Sequence, residues 1–369
     1  MNPVAPFAAV LRADNPGPMT LDGTRSYVLR APGATGCVVV DPGPDLPPHL
    51  TALADAGPVD LVLVTHRHAD HTGGLARFRE LTGAPSRGVL PEFCAGGSAA
   101  GTGGATKGGS SGRSGARPGT AAPEGTAAPE GNAGGEAYGR AAGTGSGPLL
   151  DGEVLEVAGL RIEVLATPGH TADSVCFVVS TAGGDGPAAG AVVLTGDTVL
   201  GRGTTVLAEP DGSLRDYLAS LDRLAARIAE LGAPAHAPGL PDRVPGLPDH
   251  VPGLPDHVPG LPDRTRAAPG QVDRAPSVPG PVRGLPGHGP VVDDLGAMVD
   301  AYRAHRQERL DQVRSALTAL GTTLPGTADP LPDALLDEVT RAVYSDVDPS
   351  VLPAARSSVR AQLDHLRGR

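Results

Sequence analysis

Thr65-His66-Arg67-His68-Ala69-Asp70-His71-Thr72-Gly73-Gly74 decides how this chain is read. Three imidazoles and a carboxylate fall within six residues, directly behind the apolar run Leu61-Val62-Leu63-Val64. A short apolar run of this kind reads as a buried strand. A strand ending at Thr65 delivers these side chains onto a short loop at a sheet edge. Imidazole nitrogen with carboxylate oxygen suits zinc or a similar first-row divalent ion. Two apart in an extended segment, His66 and His68 can point to one side and share an ion. Past the bend, Asp70 and His71 can reach a second ion close by.

Three more apolar runs end in the same manner. Val38-Val39-Val40 stops at Asp41, Ile162 to Leu165 at Ala166-Thr167, and Val192 to Leu194 at Thr195-Gly196-Asp197. Small or polar residues follow each of them, so the C-terminal ends of four strands can converge on one rim. A metal site needs that convergence.

With these residues in view, H-x-H-x-D-H after a short strand resembles the metallo-β-lactamase-fold hydrolases, which hold a binuclear zinc site. The resemblance implies an α/β chain folded as an αββα four-layer sandwich. It also implies three further ligands, each with a candidate here. Ala166-Thr167-Pro168-Gly169-His170-Thr171 matches the family's second motif, and Ala191-Val192-Val193-Leu194-Thr195-Gly196-Asp197 matches the third. Leu285-Pro286-Gly287-His288-Gly289-Pro290 matches the last. Alone, a Gly-His or Gly-Asp after a strand is ordinary turn chemistry; in this order behind the first motif the three read as a set. By the resemblance, His66, His68 and His170 hold one metal, Asp70, His71 and His288 hold the other, and Asp197 bridges them. Two divalent ions, zinc first among the candidates, would supply hydroxide at neutral pH and polarise the oxygen under attack. Asp70 is the candidate catalytic residue, orienting the nucleophile and shuttling a proton. Asp41, in Val40-Asp41-Pro42-Gly43, matches a family position that orients ligand imidazoles from behind; an Asp-Pro-Gly turn is the alternative.

Composition bounds the rest. With 369 residues the chain can bury a large core, but aromatics are 2% and Trp is absent, so that core must be built from Ala, Val and Leu. A net charge of −11 argues against a broad nonspecific nucleic-acid surface, though not against a local basic groove. Cys37, Cys94 and Cys176 are odd in number and lack a C-x-x-C, which implies no disulfide framework and fits a reducing compartment. No basic n-region opens the chain and no long apolar run follows, so a cytoplasmic protein without membrane contact is expected. Oligomeric state is left open.

Two stretches interrupt the pattern. Residues 95–147 are almost entirely Gly, Ala, Ser, Thr and Pro, and nothing there can bury enough apolar surface to offset its chain entropy. Residues 234–281 carry Pro-Gly-Leu-Pro-Asp at a period of seven, which forbids helix and sheet ladder alike. His250 and His257 belong to that repeat and His236 precedes it; without carboxylate partners they read as solvated. Gly284-Leu285-Pro286-Gly287-His288-Gly289 looks like the unit from which the repeat expanded, and it alone abuts a following helix. The expected organisation is a hydrolase domain over 1–292 containing both insertions, then a helical domain over 293–369.

Helices follow from apolar spacing. Ser213 opens one with Asp216 in a capping-box-like position, closed by Gly232. Asp293 or Asp294 opens the next, which runs to Gly321, and shorter helices are expected around Leu335–Val343 and Val351–Leu366. Within the long helix, Tyr302-Arg303-Ala304-His305-Arg306-Gln307-Glu308-Arg309 is a second signature. It resembles the branch of the superfamily that carries a C-terminal winged-helix-like domain and includes endoribonucleases acting on single-stranded RNA. Gly201-Arg202-Gly203 and Ala342-Val343-Tyr344 fit that branch too. His305 and Arg306 could line a groove for a phosphodiester backbone, or the helix face could simply pack on the core. From residue 300 onward, 9 basic side chains face 10 acidic ones, which gives RNA binding only faint support.

Single-stranded RNA hydrolysis therefore stands beside hydrolysis of a small ester, lactone or thioester, as in glyoxalase-II-like relatives. A binding scaffold without turnover is disfavoured, because every expected ligand position is filled.

Overall fold

The computed structural model describes residues 1–96, 147–182, 190–207, 211–232, 281–345 and 352–368. The first sheet is laid down almost in chain order. β1 (Asn2–Ala5), β2 (Ala8–Arg12), β3 (Arg25–Leu29) and β4 (Cys37–Val40) pair antiparallel in succession. α1 (Pro47–Ala54) then crosses over, so β5 (Val59–Leu63) lies parallel to β4. α2 (Ala69–Thr72) and α3 (Leu75–Thr82) lead to β6 (Ser86–Arg87), parallel to β5. β7 (Val154–Val157), β8 (Leu160–Ala166), β9 (Val175–Thr181) and β10 (Val192–Gly196) form a second antiparallel run. α4 (Leu214–Glu230) precedes β11 (Arg283–Pro286), which pairs parallel with β10 at the sheet's edge.

Period-two alternation sorts the strand residues into layers. Val38 and Val40 of β4 point between the sheets, where Phe177, Leu194 and Leu285 meet them. Cys37 and Val39 point the other way, onto Leu50 and Leu53 of α1 and Phe78 of α3. In the second sheet Val175, Phe177 and Val179 face inward, while Cys176 and Val178 meet Tyr217 and Leu221 of α4. The result is helix, sheet, sheet, helix: the four-layer α/β sandwich expected. Each fully buried Val or Leu contributes about 1.5–3 kcal/mol. Phe177 is wholly buried between the sheets, so Phe177→Ala would cost about 3–5 kcal/mol.

The helices start and stop where their caps dictate. Ser213 Oγ accepts the Asp216 amide at 3.2 Å, and Gly232, at φ 83°, follows the end of α4. Asp294, rather than Asp293, caps α5 (Leu295–Ala319) by accepting the Ala297 amide at 2.9 Å, and Gly321 lies beyond its end. α5 serves two clusters. Leu295, Val299, Tyr302 and Leu310 pack under the second sheet with α4. Val313, Ala316 and Leu317 pack instead with α6 (Asp333–Val343) and α7 (Leu352–Leu366), the helical C-terminal unit.

Apart from their edges, the stretches 95–147 and 234–281 lie outside the described residues, as do His236, His250 and His257. At one such edge Ala95 forms a backbone bridge to Ser86. Among the described residues no helix is long and apolar enough to cross a membrane.

Candidate metal centre

The C-terminal ends of β4, β5, β8, β10 and β11 open onto one rim, and every side chain singled out from the sequence as a ligand lies there. His66, His68, His170 and Asp197 form one set, and Asp70, His71 and His288 a second; within each set the donor atoms lie within 4.8 Å of one another. His68 Nδ1 stands 3.1 Å from His66 Nε2 and 3.0 Å from His170 Nε2. Asp197 sits between the sets. Its Oδ2 is 3.9 Å from His66 Nε2 and 3.6 Å from His170 Nε2, and 3.3 Å from His288 Nε2; its Oδ1 is 3.5 Å from His71 Nε2.

The rings of His66, His71 and His170 are held from behind through Nδ1, whereas His288 Nδ1 is buried with no hydrogen-bond partner among the described residues. Asp41, buried and at φ 52°, accepts the Thr65 amide at 2.8 Å and the Thr65 hydroxyl at 2.7 Å. The same carboxylate lies 2.9 Å from His71 Nδ1 and takes its proton in a hydrogen bond. Thr65 Oγ1 in turn lies 3.0 Å from His66 Nδ1. With both Nδ1 atoms engaged, His66 and His71 present Nε2 to the rim. His170 Nδ1 is likewise engaged behind, 2.8 Å from the Val206 carbonyl and 3.0 Å from Thr205 Oγ1.

Several supporting residues were not evident from the sequence. Thr24, fully buried, donates its hydroxyl to Asp70 Oδ2 at 3.0 Å, and Asn15 fixes Thr24 through both its hydroxyl and its amide at 2.9 Å. No local motif marks this pair, because its meaning depends on β3 lying beside the 287–288 turn. Gly287 carries a clearer signal, sitting inside the quoted Leu-Pro-Gly-His. A Cβ there would lie 2.4 Å from Asp197 Oδ1 and 2.7 Å from His71 Cε1.

Electrostatics separates the two sets. Burial holds His66 well below the ordinary imidazole range, with His71 reinforcing it, and burial also lowers His170. Burial opposes protonation of His71 and His288 as well, but Asp197 outweighs it at both. Asp41 adds to the effect at His71, which is pushed well up, and Asp70 at His288, which rises to about 9. The carboxylates respond in kind. Against burial, the His288 hydrogen bond and the His71 charge pull Asp70 down to about 2, and the charges of His288 and His71 hold Asp197 far below its usual range.

The donor set fits divalent cations. Three imidazole nitrogens facing one another cannot all be donors or all be acceptors in mutual hydrogen bonds, but all three can share an ion. Among the described residues, Asp197 Oδ1 is buried with no hydrogen-bond partner, an arrangement costing about 1–3 kcal/mol unless a cation compensates it.

The second sequence signature has a different setting from the groove considered above. Of the two residues considered for a groove, Arg306 is 4% exposed and lines no open channel for a phosphodiester backbone, while His305 is half-buried; Tyr302, one turn before Arg306, is fully buried. Arg309 lies over the Tyr344 ring, 5.1 Å from its centroid. The packed-face alternative holds for Arg306, which shares the buried face of α5 with Tyr302 and meets the Thr205 carbonyl and the Tyr217 ring of α4.

The metallo-beta-lactamase superfamily model matches residues 19–236, and the beta-lactamase-associated winged helix domain matches 336–369. Among curated relatives, an atrochrysone carboxyl ACP thioesterase from Aspergillus chevalieri is 26% identical over 215 residues, covering 56% of this chain and 50% of that protein. The lactamase-like protein aptB from Emericella nidulans is 26% identical over 200 residues, covering 53% and 46%. The chain spans about half the length of the curated relatives it matches. Among solved structures, a metallo-beta-lactamase family protein from Thermus thermophilus superposes with a TM-score of 0.56 at 21% identity, covering 99% of this chain and 95% of that one. A beta-lactamase domain protein from Burkholderia ambifaria gives 0.53 at 17% identity, covering 99% and 87%. These likenesses are of fold.

Proposed function

The chain belongs to the metallo-beta-lactamase superfamily, and from that premise we propose that it is a metal-dependent hydrolase acting on a small thioester or ester. One observation carries the metal dependence: five imidazoles and two carboxylates from four separate segments converge on one rim in two sets of donors. His66, His68 and His170 would hold one ion, Asp70, His71 and His288 the other, and Asp197 would serve both. Two divalent ions, zinc by the chemistry of the donors, would lower the pKa of a water and polarise the substrate carbonyl.

The protein's own residues do the rest. Asp70 is the carboxylate that reaches water, with its side chain 26% exposed against 9% for Asp197. Held by Thr24 and His288, it orients the attacking water and accepts its proton. The water oxygen bonds to the carbonyl carbon, the C–S bond of a thioester breaks, and the proton leaves on sulfur as a thiol. Asp41 and Thr65 keep the His71 and His66 rings turned toward the rim throughout.

The thioester reading draws on the relative named as an acyl-carrier-protein thioesterase and on the burial of Arg306, which takes that side chain out of reach of an RNA backbone. The winged helix domain is the feature that favours RNA, so both substrates belong in one experiment. Zinc-loaded protein is given an acyl thioester, with thiol release followed by Ellman's reagent, and in parallel an end-labelled single-stranded RNA. Thiol release that is lost in Asp70→Ala, with the RNA intact, is expected. RNA cleavage with the thioester untouched would move the assignment to phosphodiesters.

A further inference from the structure

The signature on α5 has so far no chemical role, yet its two buried polar side chains direct their hydrogen bonds to one loop. Residues 198–206 leave Asp197 and run across the rim. Tyr302 Oη accepts the Leu200 amide at 2.9 Å and donates to the Gly203 carbonyl at 2.7 Å. One turn on, Arg306 donates through Nη2 to the Thr205 carbonyl, and its guanidinium carbon lies 5.1 Å from the centroid of the Tyr217 ring. Tyr217 completes the hold by donating its hydroxyl to the Thr198 carbonyl at 2.6 Å. Backbone groups of Thr198, Leu200, Gly203 and Thr205 are thus all anchored by side chains from α4 and α5.

What this loop touches gives the anchoring its meaning. Its start is covalently joined to Asp197. Its middle donates the Gly201 amide to the His288 carbonyl at 2.9 Å. Its end supplies Thr205 Oγ1 and the Val206 carbonyl to His170 Nδ1. The three donors outside the His66–His71 motif therefore share one support, and α5 holds it. A ligand imidazole is oriented by the group behind its other nitrogen, and loss of that group typically weakens metal binding about 10–100-fold.

We propose that Tyr302 and Arg306 are positioning residues for the metal centre, acting from α5 through loop 198–206 to set His170 and, with it, the affinity of the His66–His68–His170 position. The inference rests on the metal reading above. It gives the helix that leads into the C-terminal unit a direct mechanical connection to the site, with no contact to substrate required.

The test reads metal affinity of folded protein, which a merely stabilising role would not move. Full-length wild type, Tyr302→Phe, Arg306→Met, Arg306→Lys and Thr205→Val are stripped and titrated with Zn2+ against a chromophoric chelator, with folding checked by near-UV circular dichroism. Val313→Ala, which loosens the packing among α5, α6 and α7 without touching the loop, is the control. Expected is wild-type affinity for two ions in Val313→Ala and about a 10–100-fold loss for one ion in Arg306→Met and Tyr302→Phe. Arg306→Lys, which keeps a donor, recovers part of the loss. If Arg306→Met does not fold, Tyr302→Phe and Thr205→Val, each removing a single hydroxyl, carry the same reading. Two ions bound at wild-type affinity by the folded variants would overturn the inference while leaving the metal reading intact. A wild type that binds no ion would overturn both.

Discussion

The donors from His66 to His71 and the donors His170, Asp197 and His288 meet at one rim but are supported in different ways. The first group is contiguous and is steadied from within its own sheet, by Asp41 at the end of β4 and Thr65 at the end of β5. The second comes from three segments far apart in the chain and is steadied by a loop that α4 and α5 hold in place. A contiguous motif brings its geometry with it. A dispersed one depends on tertiary structure, so its weak points lie far from the metal.

That difference can be broken most severely at Gly287, which lies against one member of each group, Asp197 and His71. Gly287→Ala would push a methyl against Asp197 Oδ1 and His71 Cε1, and the turn cannot retreat because the Gly287 amide is bonded to the Gly196 carbonyl at 2.8 Å. Zinc affinity by chelator competition should fall by about 100-fold or more for both ions, with a cost in stability of about 1–3 kcal/mol. Wild-type affinity would mean the rim is looser than its packing implies. Asp41→Asn strikes the contiguous group alone. It keeps the size but removes the charge behind His71 and an acceptor for Thr65, and about a 10–100-fold loss, larger at the Asp70–His71–His288 position, is expected from the same titration.

A smaller effect separates support by burial from support by charge. His49, under the Gly43 turn and 2.8 Å from Ser26 Oγ, is held down to about 4 by burial. Its folded value lies below its unfolded one, so the unfolded chain binds the proton first. The stability of the metal-free protein should therefore fall as pH drops from about 6.5 toward 4, by on the order of 2–3 kcal/mol. Urea titrations at several pH values, wild type against His49→Gln, read this directly. An unchanged slope in the variant would assign the pH dependence elsewhere.

Much of the contiguous half was legible before any coordinates. Four apolar runs ending in small or polar residues located β4, β5, β8 and β10, and the spacing of His66, His68, Asp70 and His71 located those donors. His170, Asp197 and His288 were legible through the family resemblance, because their turn motifs follow the first motif in the order it implies. Their supports were not. Thr24 looks like any threonine until β3 brings it to Asp70, and Thr205 and Val206 acquire a role only where their loop passes behind His170. The α5 signature shows the boundary most clearly. Apolar spacing put Tyr302 on the packed stripe of the helix, but whether Arg306 met solvent or the core depended on packing that the spacing does not encode.

Asp197, placed between the two donor sets, is proposed to join two ion positions into one centre. Equilibrium dialysis against Zn2+ with elemental analysis, comparing wild type with Asp197→Ala, tests it most directly. Two tightly held ions per wild-type chain, with both weakened in the variant, is the result predicted. One ion or none in the wild type, or two ions still held at full affinity without the Asp197 carboxylate, would contradict it.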